Sequence, residues 1–412
     1  MRRELARSGG PAMLLATAGP AIIAGASDAD PTTVGTLAVV GSTTTYSLSW
    51  LVLLLIPILG LVQAIASRVG MASGRDLQHD VVCRYGRIAQ VVLLAAVVPV
   101  NLFTIAADVA AGGSALELLT GVDWRLMTPV LAVAVLALLL AGGFDEVQSV
   151  LKYVVLVLLA FGAAAVLAEP DWGEVLHHTL VPELSLQPRH LTATLALLGT
   201  TLTGYVYMWQ SIERAEEQPD MSQTRVKSFQ SVLGIVVAVA VFWFILVATA
   251  ATLGVKGHEV QSSREAAQAL EPVAGPAATY LFAVGMLAST LIALPILAAV
   301  TAYVMGAEFN WRRGLSQPVR RARGFYAVIA ASLLLGVICV VTGLRPITLL
   351  FLASLAGGLS TPVSLGFLMV VARDARLMGR WRITRRMAVF GWLIVATVTA
   401  VSVFFLVQTF TG

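Results

Sequence analysis

The chain has 412 residues, 58% of them hydrophobic and only 12% charged, with a net charge of +4 and a mean hydropathy of +0.85. Ordinary soluble domains carry about a quarter charged residues, so a water-facing surface of this size cannot be covered, and a soluble enzyme is excluded. The two cysteines, Cys83 in a polar stretch and Cys339 in an apolar one, suggest no disulfide framework.

In chain order, apolar runs long enough to cross about 30 Å of hydrocarbon fall at 13–40, 46–67, 88–112, 127–144, 149–168, 190–212, 228–254, 275–305, 325–343, 346–372 and 387–409. That predicts eleven spans. The basic opening MRRELARSGG resembles the start of a signal peptide, but the run behind it leads into helix-breaking polar residues rather than a small-residue cleavage site, so it is read as retained. Of the 27 basic residues, 22 fall with the N-terminus and the even-numbered connections and 5 on the other side. The positive-inside rule then places the N-terminus in the cytoplasm and the C-terminus outside a cytoplasmic membrane. Topology thereby explains the basic pI, and no nucleic-acid role is expected.

Three acidic residues remain at membrane depth: Asp28 and Asp30 in span 1 and Asp108 in span 3, with no Lys or Arg beside them. An ionised carboxylate there costs several kcal/mol unless it faces a partner or a watered cavity, so cation binding or protonation is implied. A neutral, hydrogen-bonded acid is the alternative reading of Asp108 and of Asp30. All five histidines lie in or at the edge of connections, which leaves no buried imidazole relay.

Asp30 sits in AIIAGASDADPTTVGTL, where Pro31 removes a backbone donor and Thr32 and Thr33 bond locally, so span 1 is predicted to break in mid-membrane. Transporters build cation sites from two such broken helices in corresponding positions of an inverted repeat. The partner of span 1 is then span 6, LTATLALLGTTLTGYVYMWQSIERAEE, where Gly199, Thr200, Thr201, Thr203 and Gly204 form a weak, hydroxyl-bearing patch. Small residues for close packing are the alternative reading of that patch. Tyr205, Tyr207 and Trp209 follow; such a stripe is commonly packing, and Trp209 is the one singled out for the cavity.

GPAIIAGASDADPTT with YSLSW, then QAIASRVGMASGRDL, AADVAAG and RDARLMGRW together resemble the NRAMP family of divalent-metal transporters over nearly the whole chain. The resemblance implies an all-α, LeuT-like fold of two inverted five-helix repeats (1–168 with the N-terminal tail, 169–372) and an accessory eleventh helix (373–412). It also implies a metal held in span 1 by the Asp and Asn of Asp-Pro-Gly-Asn, and in span 6 by a carbonyl and a Met preceding Pro-His. Here Asp30 is kept, while Thr33 stands for the Asn, Thr32 for the Gly, Thr200 at the carbonyl position, Thr203 for the Met, and Gly204 and Tyr205 for Pro-His. Gln210 replaces the second span 6 His, Asp28 a Tyr, Ala111 the span 3 Glu and Ser360 a span 10 Gln.

Losing the thioether removes the preference for softer ions, since carboxylate, hydroxyl, carbonyl and water suit Mg²⁺, Ca²⁺ and Mn²⁺. The pattern is similar to the NRAMP-related magnesium transporters. The expected metal site is Asp30, Thr33, Asp28, Thr200 and Thr203, partly through water, with Asp108 on the exit path or a residual proton route. The expected activity is alternating-access import of Mg²⁺ first and Mn²⁺ second, without obligatory proton coupling, by a monomer in the lipid bilayer with no cofactor besides the transported ion. The alternative keeps the fold but moves an organic cation, amine or other small solute, paired with Asp28 or Asp30 and stacked on Tyr205 or Trp209. No catalytic or ATP-binding motif is present: the glycine-rich AGGSALELL lacks the P-loop Lys.

Overall fold

The computed structural model describes residues 29–141, 155–217, 224–315, 317–340 and 343–411. Among the described residues every regular element is helical, and eight helices are long and apolar enough to cross a membrane.

The described part of span 1 is the helix Pro31–Thr44, preceded by Asp30 in an extended conformation (φ −71°, ψ 164°). Spans 2 to 4 are Ser49–Ser73, the part of Leu77–Thr120 after Gly86, and Trp124–Ala141. Span 5 runs from a 3₁₀ turn at Val155–Leu159 into Ala160–Leu167. Span 6 consists of two helices, Pro188–Thr201 and Gly204–Glu217, separated at Leu202 and Thr203. Spans 7 to 11 are Thr224–Thr252, Ala278–Glu308, Arg323–Cys339, Pro346–Arg373 and Arg385–Thr411.

Two features differ from the sequence expectation. The stretch Leu77–Thr120 is two helices meeting at Gly86, whose φ 81° and ψ −176° are not helical: a polar helix before it and the apolar span 3 helix after it. A left-handed φ suits glycine and few other residues. The connection between spans 5 and 6 also holds an amphipathic helix, Trp172–Leu180, capped by Asp171, whose Val175 and Thr179 are buried.

Span 3 packs against spans 8 and 10 at the centre of the bundle, and the first half of span 6 packs on span 10. Span 6 is the most enclosed of the long apolar helices and span 11 the least, as expected of a peripheral helix facing lipid. At the ends of spans 3 and 10, Arg84 Nε lies 2.7 Å from Asp374 Oδ2, and the Tyr85 hydroxyl donates to the same oxygen at 2.9 Å. Desolvation works against the Asp374 anion, but the Arg84, Arg376 and Tyr85 donors outweigh it and hold its pKa at about 2.

The approach of spans 6 and 10 depends on glycine. A Cβ on Gly199 would lie 1.9 Å from the carbonyl oxygen of Ser354 and 2.3 Å from the backbone nitrogen of Gly358. Neither neighbour is a flexible side-chain end, so the helices would have to part. Gly199→Ala is therefore expected to destabilise the protein by about 1–3 kcal/mol. Gly366→Ala, on the same span 10 and with open space around it, should be neutral or slightly stabilising. Thermal unfolding in detergent compares the two; equal midpoints would refute the tight crossing.

Candidate metal-transport site

Asp30 is the N-cap of the span 1 helix, with Pro31 at its first position, where the missing N–H costs nothing. Its Oδ1 accepts the Thr33 N–H at 2.6 Å, so the carboxylate serves the helix start, where the aligned peptide dipoles favour negative charge. Its Oδ2 accepts the Tyr205 hydroxyl at 2.5 Å. Asp30 is only 4% exposed, and the start of the span 1 helix and the second half of span 6 meet on it.

A second bridge runs between Thr33 Oγ1 and Thr200 Oγ1, 3.0 Å apart. Asp30, Thr33, Thr200 and Tyr205 thus form one buried group joining the start of the span 1 helix to the span 6 break. Thr203 turns the other way: its hydroxyl donates to the carbonyls of Gly199 at 2.6 Å and Thr200 at 3.0 Å. The Thr200 carbonyl is therefore occupied by Thr203. Thr32 donates to Asp108 Oδ1 at 2.6 Å, while Asp108 Oδ2, wholly buried, has no hydrogen-bond partner among the described residues. Asp108 is thus tied to span 1 two residues beyond Asp30, and its second oxygen is left open to a proton, a water or a passing ion.

The remaining expected residues are more peripheral. Gly204 opens the second half of span 6, against the Ser364 hydroxyl of span 10. Ser360 is buried on span 10, where its carbonyl accepts from Ser364. Trp209 lies beyond Tyr205, partly buried against the core. Asp28 falls outside the described residues.

Five hydroxyls escaped the sequence reading: those of Thr361, Ser289, Ser364, Thr36 and Ser354. Thr361 Oγ1 donates to the Leu202 carbonyl at 3.0 Å, satisfying the span 6 break from span 10. Ser289 of span 8 donates to the Ala29 carbonyl next to Asp30. Tyr207 and Ser364 hydroxyls lie 2.5 Å apart, and Thr36 and Ser354 hydroxyls 2.6 Å apart. Their one sequence signal is a Ser or Thr in an apolar helix, which equally describes a side chain bonded to its own turn. Among the described residues no group of three His, Cys, Asp or Glu side chains converges on a metal position. The side-chain oxygens grouped with Asp30 are the hydroxyls of Thr33, Thr200 and Tyr205.

A mutant of the Eremococcus coleocola manganese transporter superposes with a TM-score of 0.73 at 22% identity, covering 97% of this chain and 88% of that one. The nucleobase-cation-symport-1 family transporter Mhp1, closed with bromovinylhydantoin bound, superposes at 0.62 with 16% identity, covering 90% and 80%. The fold is LeuT-like, two inverted five-helix repeats with an eleventh helix, and among the described residues the sixth is interrupted at Leu202 and Thr203. The natural resistance-associated macrophage protein-like (Nramp) family model matches residues 21–408, and the chain belongs to that family. The divalent metal cation transporter MntH of Mesorhizobium japonicum is 26% identical over 419 residues, covering 97% of this chain and 90% of its own. MntH of Deinococcus radiodurans is 26% identical over 406 residues, covering 96% and 90%.

Thr32→Val keeps the shape of the side chain but removes the 2.6 Å donor from Asp108. A buried polar group stripped of a partner costs about 1–3 kcal/mol, and that loss of stability is expected in chemical denaturation. Thr32→Ser should recover most of it. Full stability of Thr32→Val would show that the hydroxyl does not support Asp108.

Proposed function

We propose that this protein imports a hard divalent cation, Mg²⁺ in preference to Mn²⁺, across the cytoplasmic membrane by alternating access of its two repeats, 1–168 and 169–372. The observation that carries the reading is the all-oxygen group between the start of the span 1 helix and the span 6 break: the Asp30 carboxylate, the Thr33 and Thr200 hydroxyls 3.0 Å apart, and the Tyr205 phenol. Oxygen donors suit Mg²⁺ and Mn²⁺ and give no advantage to softer ions. Adjacent oxygens around an octahedral Mg²⁺ at 2.0–2.1 Å lie about 2.9 Å apart, which the two threonine hydroxyls match without rearrangement. An arriving ion displaces the Tyr205 hydroxyl from Asp30 and draws the Thr200 carbonyl from Thr203, with waters filling the remaining positions. The MntH relatives, named as divalent metal cation transporters, support the substrate class.

Transport is proposed to be uncoupled from protons and to work as a monomer. Among the described residues no imidazole is hydrogen-bonded to the Asp30 group, and Ala111 leaves Asp108 without an acidic neighbour one turn on along its own helix. The inside-negative potential then drives entry, at about 2.3 kcal/mol per charge per 100 mV.

Reconstituted vesicles test this. Asp30→Ala, folded and inserted, is expected to reduce Mg²⁺ and Mn²⁺ uptake at least a hundredfold. Thr203→Met with Thr33→Asn, which frees the Thr200 carbonyl and supplies a thioether, should raise Mn²⁺ affinity relative to Mg²⁺. A pH dye inside the vesicles should report no acidification during metal entry. Wild-type flux through Asp30→Ala, or movement of a small amine with no metal flux, would contradict the reading.

A further inference from the structure

Away from the cavity, the polar helix that precedes Gly86 carries His79 and Cys83 one turn apart. Their ligating atoms, His79 Nε2 and Cys83 Sγ, are separated by 3.5 Å. Around a tetrahedral ion with metal–sulfur about 2.3 Å and metal–nitrogen about 2.0–2.1 Å, those two atoms stand about 3.5 Å apart. Cys83 is exposed and His79 partly so. Both precede the Gly86 kink, and Arg84 and Arg87 follow directly, which places the pair on the water-facing side that the arginine distribution assigns to the cytoplasm.

We propose that His79 and Cys83 form a second metal site, an open one completed by water, for borderline and soft divalent ions such as Zn²⁺, Co²⁺ and Cd²⁺. Thiolate and imidazole select these ions over Mg²⁺, so the site's preference is opposite to that of the oxygen-lined cavity. Among the described residues no third His, Cys, Asp or Glu completes a cluster here, so the ion stays exchangeable, as a sensor requires, and is not a structural staple.

Binding has a mechanical consequence. Arg313, in the connection after span 8, donates to Asp76 Oδ2 at 2.8 Å and reaches His79 Nδ1 at 3.4 Å. Ligation consumes the Nε2 lone pair and releases the thiol proton to solvent. The imidazole proton then resides on Nδ1, which no longer accepts from Arg313. The ring leaves the guanidinium and that contact between the polar helix before span 3 and the span 8–9 connection is lost, while the Asp76 pair persists. A transition ion in the cytoplasm thereby alters one tie on the face through which the cargo leaves.

The inference is independent of the proposed cargo, and Co²⁺ is the probe. Added to the full-length protein in detergent, it should produce a cobalt–thiolate charge-transfer band that saturates at one equivalent. Cys83→Ser should abolish the band and His79→Ala should weaken binding at least tenfold, whereas Cys339→Ser and Asp30→Ala should leave it unchanged. A band absent from the wild type, retained in Cys83→Ser, undiminished in His79→Ala, or lost in Cys339→Ser or Asp30→Ala would overturn the site.

Discussion

A carboxylate in the middle of a hydrocarbon layer must find its solvent within the protein. Asp30 does so by standing at a helix start. Pro31 ends any helix arriving from the N-terminal side, the freed Thr33 N–H points at one carboxylate oxygen, and the Tyr205 phenol covers the other. Remove the break and the anion loses its backbone donor; remove the anion and the break loses its cap.

The span 6 break poses the complementary problem, carbonyls without helical partners. Threonine answers it twice. Thr203 covers the carbonyls of Gly199 and Thr200, and Thr361 reaches from span 10 to that of Leu202. These bonds are local and replaceable, because a cation or a water can take the place of a hydroxyl at a carbonyl with little rearrangement. Close packing makes the reach possible: at Gly199 and Gly358 the backbones of spans 6 and 10 come near enough that a side chain would not fit. Glycine contact and threonine reach are therefore parts of one arrangement.

Much of this was legible in the chain. Hydropathy predicted where the helices lie, and the Asp-Pro pair marked the start of the span 1 helix, because proline's missing donor acts locally and does not wait on tertiary context. The Gly-Thr patch of span 6 pointed to the second break because glycine weakens a helix locally. Tyr205 was placed in the cavity, but its direct bond to Asp30 depends on how two half-helices face each other across 175 positions of sequence. Ser289, Thr361 and Ser364 were not legible, since a hydroxyl in an apolar helix reads identically whether it bonds to its own turn or to a neighbour. The polar helix that precedes Gly86 was hidden by its polarity, which hydropathy scores as connection. Asp28 was expected beside Asp30 and lies outside the described residues.

The family resemblance supplies the frame, and the departures from it bear on selectivity: threonines stand where the family pattern has Asn and Met, and Thr203 is engaged with its own helix. An all-oxygen cavity at Asp30 is the central claim, and anomalous diffraction from crystals grown with Mn²⁺ tests it directly. Mn²⁺, the accepted but less preferred ion, should give a peak within coordination distance of the Asp30 carboxylate and on the Thr33–Thr200 side of it, with the peak abolished by excess Mg²⁺. A peak bound away from Asp30, or one that excess Mg²⁺ leaves untouched, would contradict a hard-ion site built on the span 1 helix start and the span 6 break.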